Sequence, residues 1–295
     1  MDYTQAIILG LIQGISELFP ISSLGHSVIL PKLLGWDNIV AAQSAPESFF
    51  LAFLVGLHVA TATALAIFYW RDWVAIAGGV LGSVRSRRIE TADARLGWLL
   101  IVATIPAGIM GVLFEHTFRT IFAKPLLAAG FLFVNGLILL AGEWLRRRSE
   151  VRAVALAHGL NPAGARRLDT LEFREAGLIG VSQVAALLAG ISRSGITMVA
   201  GLVRGLDHKD AARFSFLLAT PIIFAAGVYK LPDLSGPNGN GVLGQVLAGS
   251  IAAGIAAYIS VRFLTSYFMT WTLMPFAICC LVAGTLSALY FALGG

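Results

Sequence analysis

Runs of apolar residues long enough to cross a bilayer recur along this chain, and they leave few folds open to it. Phe49 to Trp70 alone is 22 residues, or about 33 Å as an α-helix, which is the thickness of the hydrocarbon core. Of the 295 residues 57% are hydrophobic and 13% charged, against about 25% charged in soluble domains. We therefore predict an all-α polytopic membrane protein with one integral membrane domain over residues 1–295.

Two apolar segments, 6–34 and 176–203, differ from the others because polar residues occupy their centres. The first contains Glu17 and His26, although a charge near the bilayer centre costs at least about 2.5 kcal/mol. Pro20 interrupts a helix there, so the segment is predicted as a broken or re-entrant hairpin. The alternative is a simple Ser/Pro kink with Glu17 at the interface. The remaining apolar segments are six predicted full spans: 49–70, 96–114, 125–145, 214–228, 244–264 and 271–293.

The polar residues of the first hairpin form a pattern that suits a phosphate group. Gln13 and Glu17 are one helical turn apart and share a face. Ser22 and Ser23 follow the break, where the free N–H groups of a new helix favour an anion. His26 lies three residues beyond Ser23 and faces the same way. Broken backbone at membrane depth is tolerated only inside protein or along a cavity, so the pattern indicates a site.

An internal repeat relates the two hairpins. Adding 170 to the positions from 9 to 35 gives 7 identities in 27, among them Gln13 with Gln183 and Ser22 with Ser192. Each hairpin is followed by three predicted spans, and three is odd, so the second copy is predicted to be inverted. The repeats would cover about 1–148 and about 175–295. Inverted repeats whose broken helices meet near the midplane commonly build anion sites.

The second hairpin supplies a cation where the first supplies an acid. Arg193 takes the place that Ser23 has in the first repeat, and its planar fork fits phosphate oxygens. The alternative is a structural ion pair. Ser192, Ser194 and Thr197 are predicted to bind phosphate or to support the site, as are Gln13 and Ser22. His58, inside the first predicted span, could be a core histidine, and a role in the site is the alternative.

The distribution of arginine predicts the orientation. Two stretches predicted as loops, 71–95 and 146–174, carry twelve of the 21 Lys and Arg residues. Cytoplasmic loops are enriched in these residues, so both are assigned to the cytoplasm, and the turns 115–124 and 231–243 to the outside. Because the basic residues cluster in these loops, the net charge of +5 does not indicate nucleic-acid binding. Cys279 and Cys280 are adjacent on one predicted helix and form neither a disulfide framework nor a metal site.

Three motifs of the chain belong together: they are Gln13-Gly-x-x-Glu17-x-x-Pro-Ile-Ser22-Ser23-x-Gly25-His26, Gly190-Ile-Ser192-Arg193-Ser194-Gly195-x-Thr197 and Ser215-Phe-Leu-Leu-Ala219-x-Pro221. In combination they resemble the motifs of the undecaprenyl-diphosphate phosphatase family of the bacitracin-resistance type. The resemblance covers essentially the whole chain. Two departures stand out: Gln13 takes a position where the family has Glu or Gln, which leaves one carboxylate, and Ala189 replaces the usual proline.

The resemblance implies hydrolysis of polyprenyl diphosphate to the monophosphate carrier lipid at the outer face of the bacterial cell membrane. It maps the catalytic serine and histidine to Ser23 and His26, the acid to Glu17 and the phosphate-binding arginine to Arg193. It also implies a divalent cation, Mg²⁺ or Ca²⁺, for which Glu17 is the candidate ligand.

Several alternatives remain open from the sequence. Ser23 could attack phosphorus with Glu17 or His26 as its base, or water activated by Glu17 could attack with Ser23 as a ligand. A transporter or flippase of an anionic lipid or phosphate is the rival class, because broken helices and inverted repeats are typical of transporters. A homodimer is also compatible with the chain.

Overall fold

The computed structural model describes residues 1–44, 49–114, 124–156, 166–235 and 242–294. Within these ranges the chain is helical and forms no strand; a single β-bridge joins Arg166 to Leu206. Short 3₁₀ segments occur at Leu168–Thr170 and Gln183–Leu187. The described α-helices are α1 (Tyr3–Ser16), α2 (Ser23–Leu33), α3 (Asp37–Ser44), α4 (Phe49–Phe68), α5 (Trp70–Ser86), α6 (Ala92–Leu113), α7 (Pro125–Leu156), α8 (Phe173–Ser182), α9 (Arg193–Val203), α10 (His208–Ser235), α11 (Leu243–Tyr267) and α12 (Met274–Ala292).

Among the described residues, five helices are long and apolar enough to cross a membrane, and α4 with α5 forms a sixth if the pair is counted as one span. The helices meeting this test are α6, α7 over 125–148, α10 over 208–229, α11 and α12. Exposed isoleucines follow one face of α11, at Ile251, Ile255 and Ile259. Such a stripe is costly in water but suits contact with lipid. The prediction of an all-α, multi-pass membrane protein is confirmed.

The region after the first span differs from the prediction of a loop over 71–95. Trp70 to Ser86 is helix α5, bent by 83° from α4 at Tyr69. Its arginines had suggested a loop, but they lie at its two ends, at Arg71 and Arg85. Small residues let α5 pack on α6: a Cβ on Gly79 would lie 2.6 Å from the backbone N of Ala94. The helix ends at Arg87 in the left-handed conformation, with φ +55°.

Two further helices are longer than the predicted spans. Helix α7 continues past residue 145 to Leu156, within the stretch 146–174 that the sequence had assigned to a loop. Helix α10 begins at His208, six residues before the predicted start. Of the predicted turn 115–124 only Lys124 lies in the described ranges, and 236–241 of the predicted loop 231–243 fall outside them.

Both polar-centred segments form broken helical hairpins, as predicted. The first consists of α1 and α2, and the second of α8, the 3₁₀ segment and α9. Each hairpin packs closely on a span through a glycine. A Cβ on Gly10 of α1 would lie 2.2 Å from the carbonyl oxygen of Gly249 in α11, and one on Gly180 of α8 would lie 2.4 Å from that of Ala103 in α6.

The ends of the helices on the side of Arg166 are joined by charged side chains. Arg166 donates from both terminal nitrogens to Glu175, at 2.8 and 3.0 Å, and its backbone N–H donates to the Gly205 carbonyl at 2.9 Å. These hydrogen bonds hold the pKa of Glu175 below its ordinary value. A second pair, Glu143 with His208, is buried and joins α7 to α10.

Candidate active site

The first hairpin breaks in a strained conformation that its own serine stabilises. Helix α1 ends at Ser16, and Ser22 has φ +68°, a region that non-glycine residues rarely adopt. The Ser22 hydroxyl accepts hydrogen bonds from the N–H groups of Gly25 at 3.2 Å and of Gly190 at 3.1 Å. One side chain therefore caps α2 and also binds the break of the second hairpin.

The second hairpin breaks in a similar way. Ser192 caps α9 by accepting from the Gly195 N–H at 3.1 Å. Gly190 has φ +110°, and a Cβ there would lie 2.4 Å from the Ala128 carbonyl oxygen, so glycine is required by both conformation and space. Arg193 is the first residue of α9, and this position turns its guanidinium toward the first hairpin.

Glu17 lies where the two breaks meet and is 7% exposed. One carboxylate oxygen, Oε1, accepts from Arg193 Nη2 at 2.7 Å. The other, Oε2, accepts from Gln13 Nε2 at 2.9 Å and from the Ser23 hydroxyl at 2.5 Å. Gln13, Glu17, Ser23 and Arg193, which the sequence placed in one site, are thus brought together by the fold.

The direction of the Ser23 hydrogen bond has a chemical consequence. The Ser23 hydroxyl donates a hydrogen bond to Glu17. The carboxylate is therefore placed to accept the hydroxyl proton if the serine oxygen attacks an electrophile. Gln13 and Arg193 fix the carboxylate on its other sides. A hydroxyl, a base and groups that orient the base are the elements of nucleophilic catalysis.

Two histidines flank this cluster. His26 Nδ1 lies 2.8 Å from the Ser22 carbonyl oxygen; since a carbonyl only accepts, Nδ1 carries the hydrogen and Nε2 holds the lone pair of the neutral ring. His58 Nε2 lies 3.5 Å from Glu17 Oε2, and His58 Nδ1 lies 2.7 Å from the Leu54 carbonyl oxygen. Of the two interpretations left open for His58, the structure favours the site role, because the ring contacts the site carboxylate.

The remaining predicted site residues lie in the contact between the hairpins. Ser194 donates to the Phe19 carbonyl at 3.3 Å and lies 3.0 Å from the Ser192 hydroxyl. The Thr197 hydroxyl lies 2.6 Å from that of Ser215. The side chains of all four hydroxyl residues, Ser192, Ser194, Thr197 and Ser215, are buried. Their described hydrogen bonds hold α9 against the first break and against α10.

Asn135, in the middle of α7, is a residue that sequence reasoning missed. It is fully buried and bonds to both breaks: Nδ2 donates to the Pro20 carbonyl at 3.0 Å, and Oδ1 accepts from the Ser192 N–H at 2.9 Å. A single amide inside an apolar span was the available signal, because a polar side chain there is costly unless it has partners.

Metal-binding capacity around Glu17 is limited. Among the described residues no group of three or more His, Cys, Asp or Glu side chains could hold a metal ion. Within the described part of the chain, Gln13 Oε1 is buried beside Glu17 and has no hydrogen-bond partner. An amide oxygen next to a carboxylate is a pair that Mg²⁺ and Ca²⁺ accept, and Mg²⁺ usually takes further ligands from phosphate and water. The donor set therefore fits a cation that the protein holds only in part.

Apolar spans built around a charged pair, at the point where two broken helices meet, define a multi-pass membrane protein with a charged site between its helices. The chain belongs to the family described as bacitracin resistance protein BacA, and the match runs over residues 6–286, which include both hairpins.

Similar proteins cover almost the whole chain. The undecaprenyl-diphosphatase of Mycolicibacterium paratuberculosis is 56% identical, with 99% of this chain and 98% of that protein aligned. The undecaprenyl-diphosphatase 2 of Frankia alni is 53% identical, with 99% of each aligned. The undecaprenyl-diphosphatase of Gluconobacter oxydans is 44% identical, with 96% of this chain and 97% of that protein aligned.

Proposed function

We propose that this protein hydrolyses undecaprenyl diphosphate, or a similar polyprenyl diphosphate, to the monophosphate and inorganic phosphate in the bacterial cell membrane. This reaction returns the lipid carrier to cell-wall synthesis. The family and the names of its full-length relatives support the substrate. The observation that carries the chemistry is Glu17, which accepts from the Ser23 hydroxyl while it pairs with Arg193.

In the proposed reaction Arg193 binds the diphosphate, whose negative charge matches its guanidinium. The bond between the terminal phosphorus and the bridging oxygen breaks, and the polyprenyl monophosphate leaves. Positioning and charge neutralisation supply most of the rate in such transfers. The direction of the Ser23 hydrogen bond favours Glu17 over His26 as the base. His26 then orders water through the Nε2 lone pair of the neutral ring, or protonates the leaving phosphate from Nε2 if the ring is first protonated to the imidazolium.

Two routes to phosphate are consistent with this arrangement. In the first, Ser23 Oγ attacks phosphorus, Glu17 takes its proton, and water later releases phosphate from the serine. In the second, water attacks directly after losing a proton to Glu17, and Ser23 hydrogen-bonds the phosphate. Both routes consume one water for each diphosphate. They differ in whether a phosphoserine forms.

A divalent cation, Mg²⁺ or Ca²⁺, is part of the proposal. Gln13 Oε1 and Glu17 are the protein groups that would hold it, with the diphosphate oxygens completing its ligands. When bound, it neutralises charge on the phosphates. A chelator should therefore lower activity, and added Mg²⁺ or Ca²⁺ should restore it. Full activity after exhaustive chelation would remove the cation from the proposal.

The inverted repeat and the outward-facing site are proposed as well. Helices α2 and α9 are both 11 residues long and offset by 170. Their serine caps and the glycines that follow them, Gly35 and Gly205 with positive φ, share the same offset. The arginine distribution supports a cytoplasmic location for α5's end and an opening of the site to the outside. A homodimer stays a prediction from the sequence.

The test of the function is phosphate release from undecaprenyl diphosphate by the purified protein in detergent. Transport across a membrane is undefined there, so release separates a hydrolase from the rival flippase. We expect the wild-type protein to release phosphate and the Glu17→Gln variant to release none. No release from the wild-type protein, with Mg²⁺ or Ca²⁺ present, would contradict the proposed function.

A further inference from the structure

Asn135 joins the two halves of the site although it contacts neither the carboxylate nor the guanidinium in the hydrogen bonds described above. Pro20, whose carbonyl it binds, lies midway between Glu17 and Ser23. Ser192, whose N–H it binds, directly precedes Arg193. One side chain on α7 therefore holds the backbone of both breaks.

The chemistry of the two partners requires a group with a donor and an acceptor. A broken helix leaves carbonyl and N–H groups unpaired, and each is expensive to bury without a partner. The carbonyl of Pro20 can only accept and the N–H of Ser192 can only donate. The amide orientation, with Nδ2 on Pro20 and Oδ1 on Ser192, is therefore fixed by the partners. A carboxylate or an aliphatic side chain of similar size cannot satisfy both.

Reciprocal packing between the breaks leaves little freedom elsewhere. A Cβ on Gly25 would lie 3.0 Å from Gly190 Cα, and a Cβ on Gly195 would lie 3.2 Å from Pro20 Cβ. The breaks contact each other through glycine surfaces. These surfaces set the distance between the breaks but not their register. Polar bonds set the register, and those of Asn135 reach both sides at once.

We propose that Asn135 is a positioning residue, which fixes the Ser23–Glu17 pair relative to Arg193 by holding both helix breaks. This inference rests on the proposed function. If it holds, replacing Asn135 lowers turnover by misplacing groups that remain chemically intact. A displacement near 1 Å can cost about a hundredfold in rate.

The experiment compares Asn135→Leu with wild type on undecaprenyl diphosphate, with activity corrected for the folded fraction by size exclusion and thermal unfolding. We expect kcat to fall at least about tenfold, with KM changed less than about threefold. A double-mutant cycle with Arg193→Lys then tests the mechanism. Once the guanidinium is replaced by an amine, the exact position of residue 193 matters less. Asn135→Leu should therefore lower kcat less than about threefold in the Arg193→Lys background.

Ser83→Ala is the matched control. It removes a hydrogen bond from Trp98 Nε1 to the Ser83 hydroxyl, 2.8 Å long, which joins α5 to α6. We expect a comparable loss of stability, an unchanged kcat, and effects that multiply with those of Arg193→Lys. If Asn135→Leu does not fold, Asn135→Thr replaces it, because threonine keeps a hydroxyl but is one atom too short to reach both breaks.

The outcomes are distinguishable. A near-normal kcat, or a loss that multiplies fully with that of Arg193→Lys, would overturn the positioning role. If Arg193→Lys and Glu17→Gln themselves leave activity intact, the proposed site fails instead. A tenfold loss that disappears in the Arg193→Lys background supports Asn135 as the residue that aligns the two halves.

Discussion

A single carboxylate gathers the reactive groups of this protein. Glu17 accepts from Gln13, Ser23 and Arg193, and His58 is 3.5 Å away. Because burial makes an unpaired charge costly, each partner stabilises the carboxylate. Substitution of one partner therefore also disturbs the others. The effect of a variant therefore includes both the loss of the substituted side chain and the cost of leaving the Glu17 carboxylate with fewer partners.

Ser23→Ala separates the two proposed routes. If the serine oxygen attacks phosphorus, the variant should retain only background activity. If water attacks, the variant loses one hydrogen bond to a charged group, about 1.5–3 kcal/mol or roughly ten- to a hundredfold in rate. The measurement is turnover of the variant together with a search for phosphoserine in acid-quenched wild type. Activity above about one per cent, with no phosphoserine, would establish the water route.

Arg193→Lys tests the planar fork. The lysine keeps the charge but loses bidentate binding, so activity should fall at least about tenfold, equivalent to about 1.4 kcal/mol. Phosphate release and KM for undecaprenyl diphosphate are the measurements. Near-normal turnover would leave Arg193 as a structural partner of Glu17, which was the alternative from the sequence.

At the scale of elements, each hairpin depends on backbone conformations that few residues allow. Gly190→Ala adds a Cβ at φ +110°, 2.4 Å from the Ala128 carbonyl oxygen. We expect a loss of stability above about 1–3 kcal/mol, the cost of the strained conformation alone. Gly78 of α5 is the control: a Cβ there meets nothing within 4 Å, so Gly78→Ala should be neutral or stabilising. Thermal unfolding of both variants checks this, and equal unfolding temperatures would contradict it.

The link between the start of α8 and the end of α9 predicts a pH dependence. The pKa of Glu175 is lowered from its ordinary value of 4.5, chiefly by its hydrogen bonds with Arg166. The ion pair therefore stabilises the fold above pH 4.5, and that contribution is lost as the pH falls through the lower folded-state pKa. Glu175→Gln keeps the capping group of α8. It should lower the free energy of unfolding at pH 7 by less than about 1 kcal/mol, which is measured as a slightly lower unfolding temperature. The difference from wild type should shrink below pH 4.5; a constant difference would contradict the ion-pair account.

At the scale of the molecule, orientation is testable with two engineered thiols. In a background without Cys279 and Cys280, Asn38→Cys and Ser86→Cys place exposed thiols on α3 and at the end of α5. If the arginine-rich side is cytoplasmic, a membrane-impermeant reagent added to whole cells should label residue 38 and not residue 86. Both should react after lysis. The reverse pattern would contradict the outward-facing site.

Much of this architecture could be predicted from the sequence because the signals are local. Apolar length predicted the spans, and the cost of a buried acid and a proline predicted the first break. The motifs brought Gln13, Glu17, Ser23 and Arg193 into one hypothesis, and the structure places them in contact. These inferences need only helical periodicity and the energetics of charge in lipid.

The roles of Asn135, which was missed, and of His58, which was left open, depend on tertiary contacts. Nothing near His58 or Asn135 in the sequence indicates that α4 and α7 pass beside the breaks. Helix α5 was predicted as a loop because arginine count outweighed its helical spacing, although the arginines lie at its ends. For His58 and Asn135 the decisive partner is distant along the chain, and a single sequence carries no record of such pairs.

The separation of Glu17 from Arg193 along the chain, 176 residues, also has a consequence for biosynthesis. Translation at about 5–20 residues per second takes roughly 10–35 s to cover that distance. During this interval the first hairpin enters the membrane with its carboxylate, and the arginine that neutralises it has not yet been made. The nascent protein must keep that acid hydrated or protonated, and it becomes fully compatible with lipid only when the second hairpin arrives.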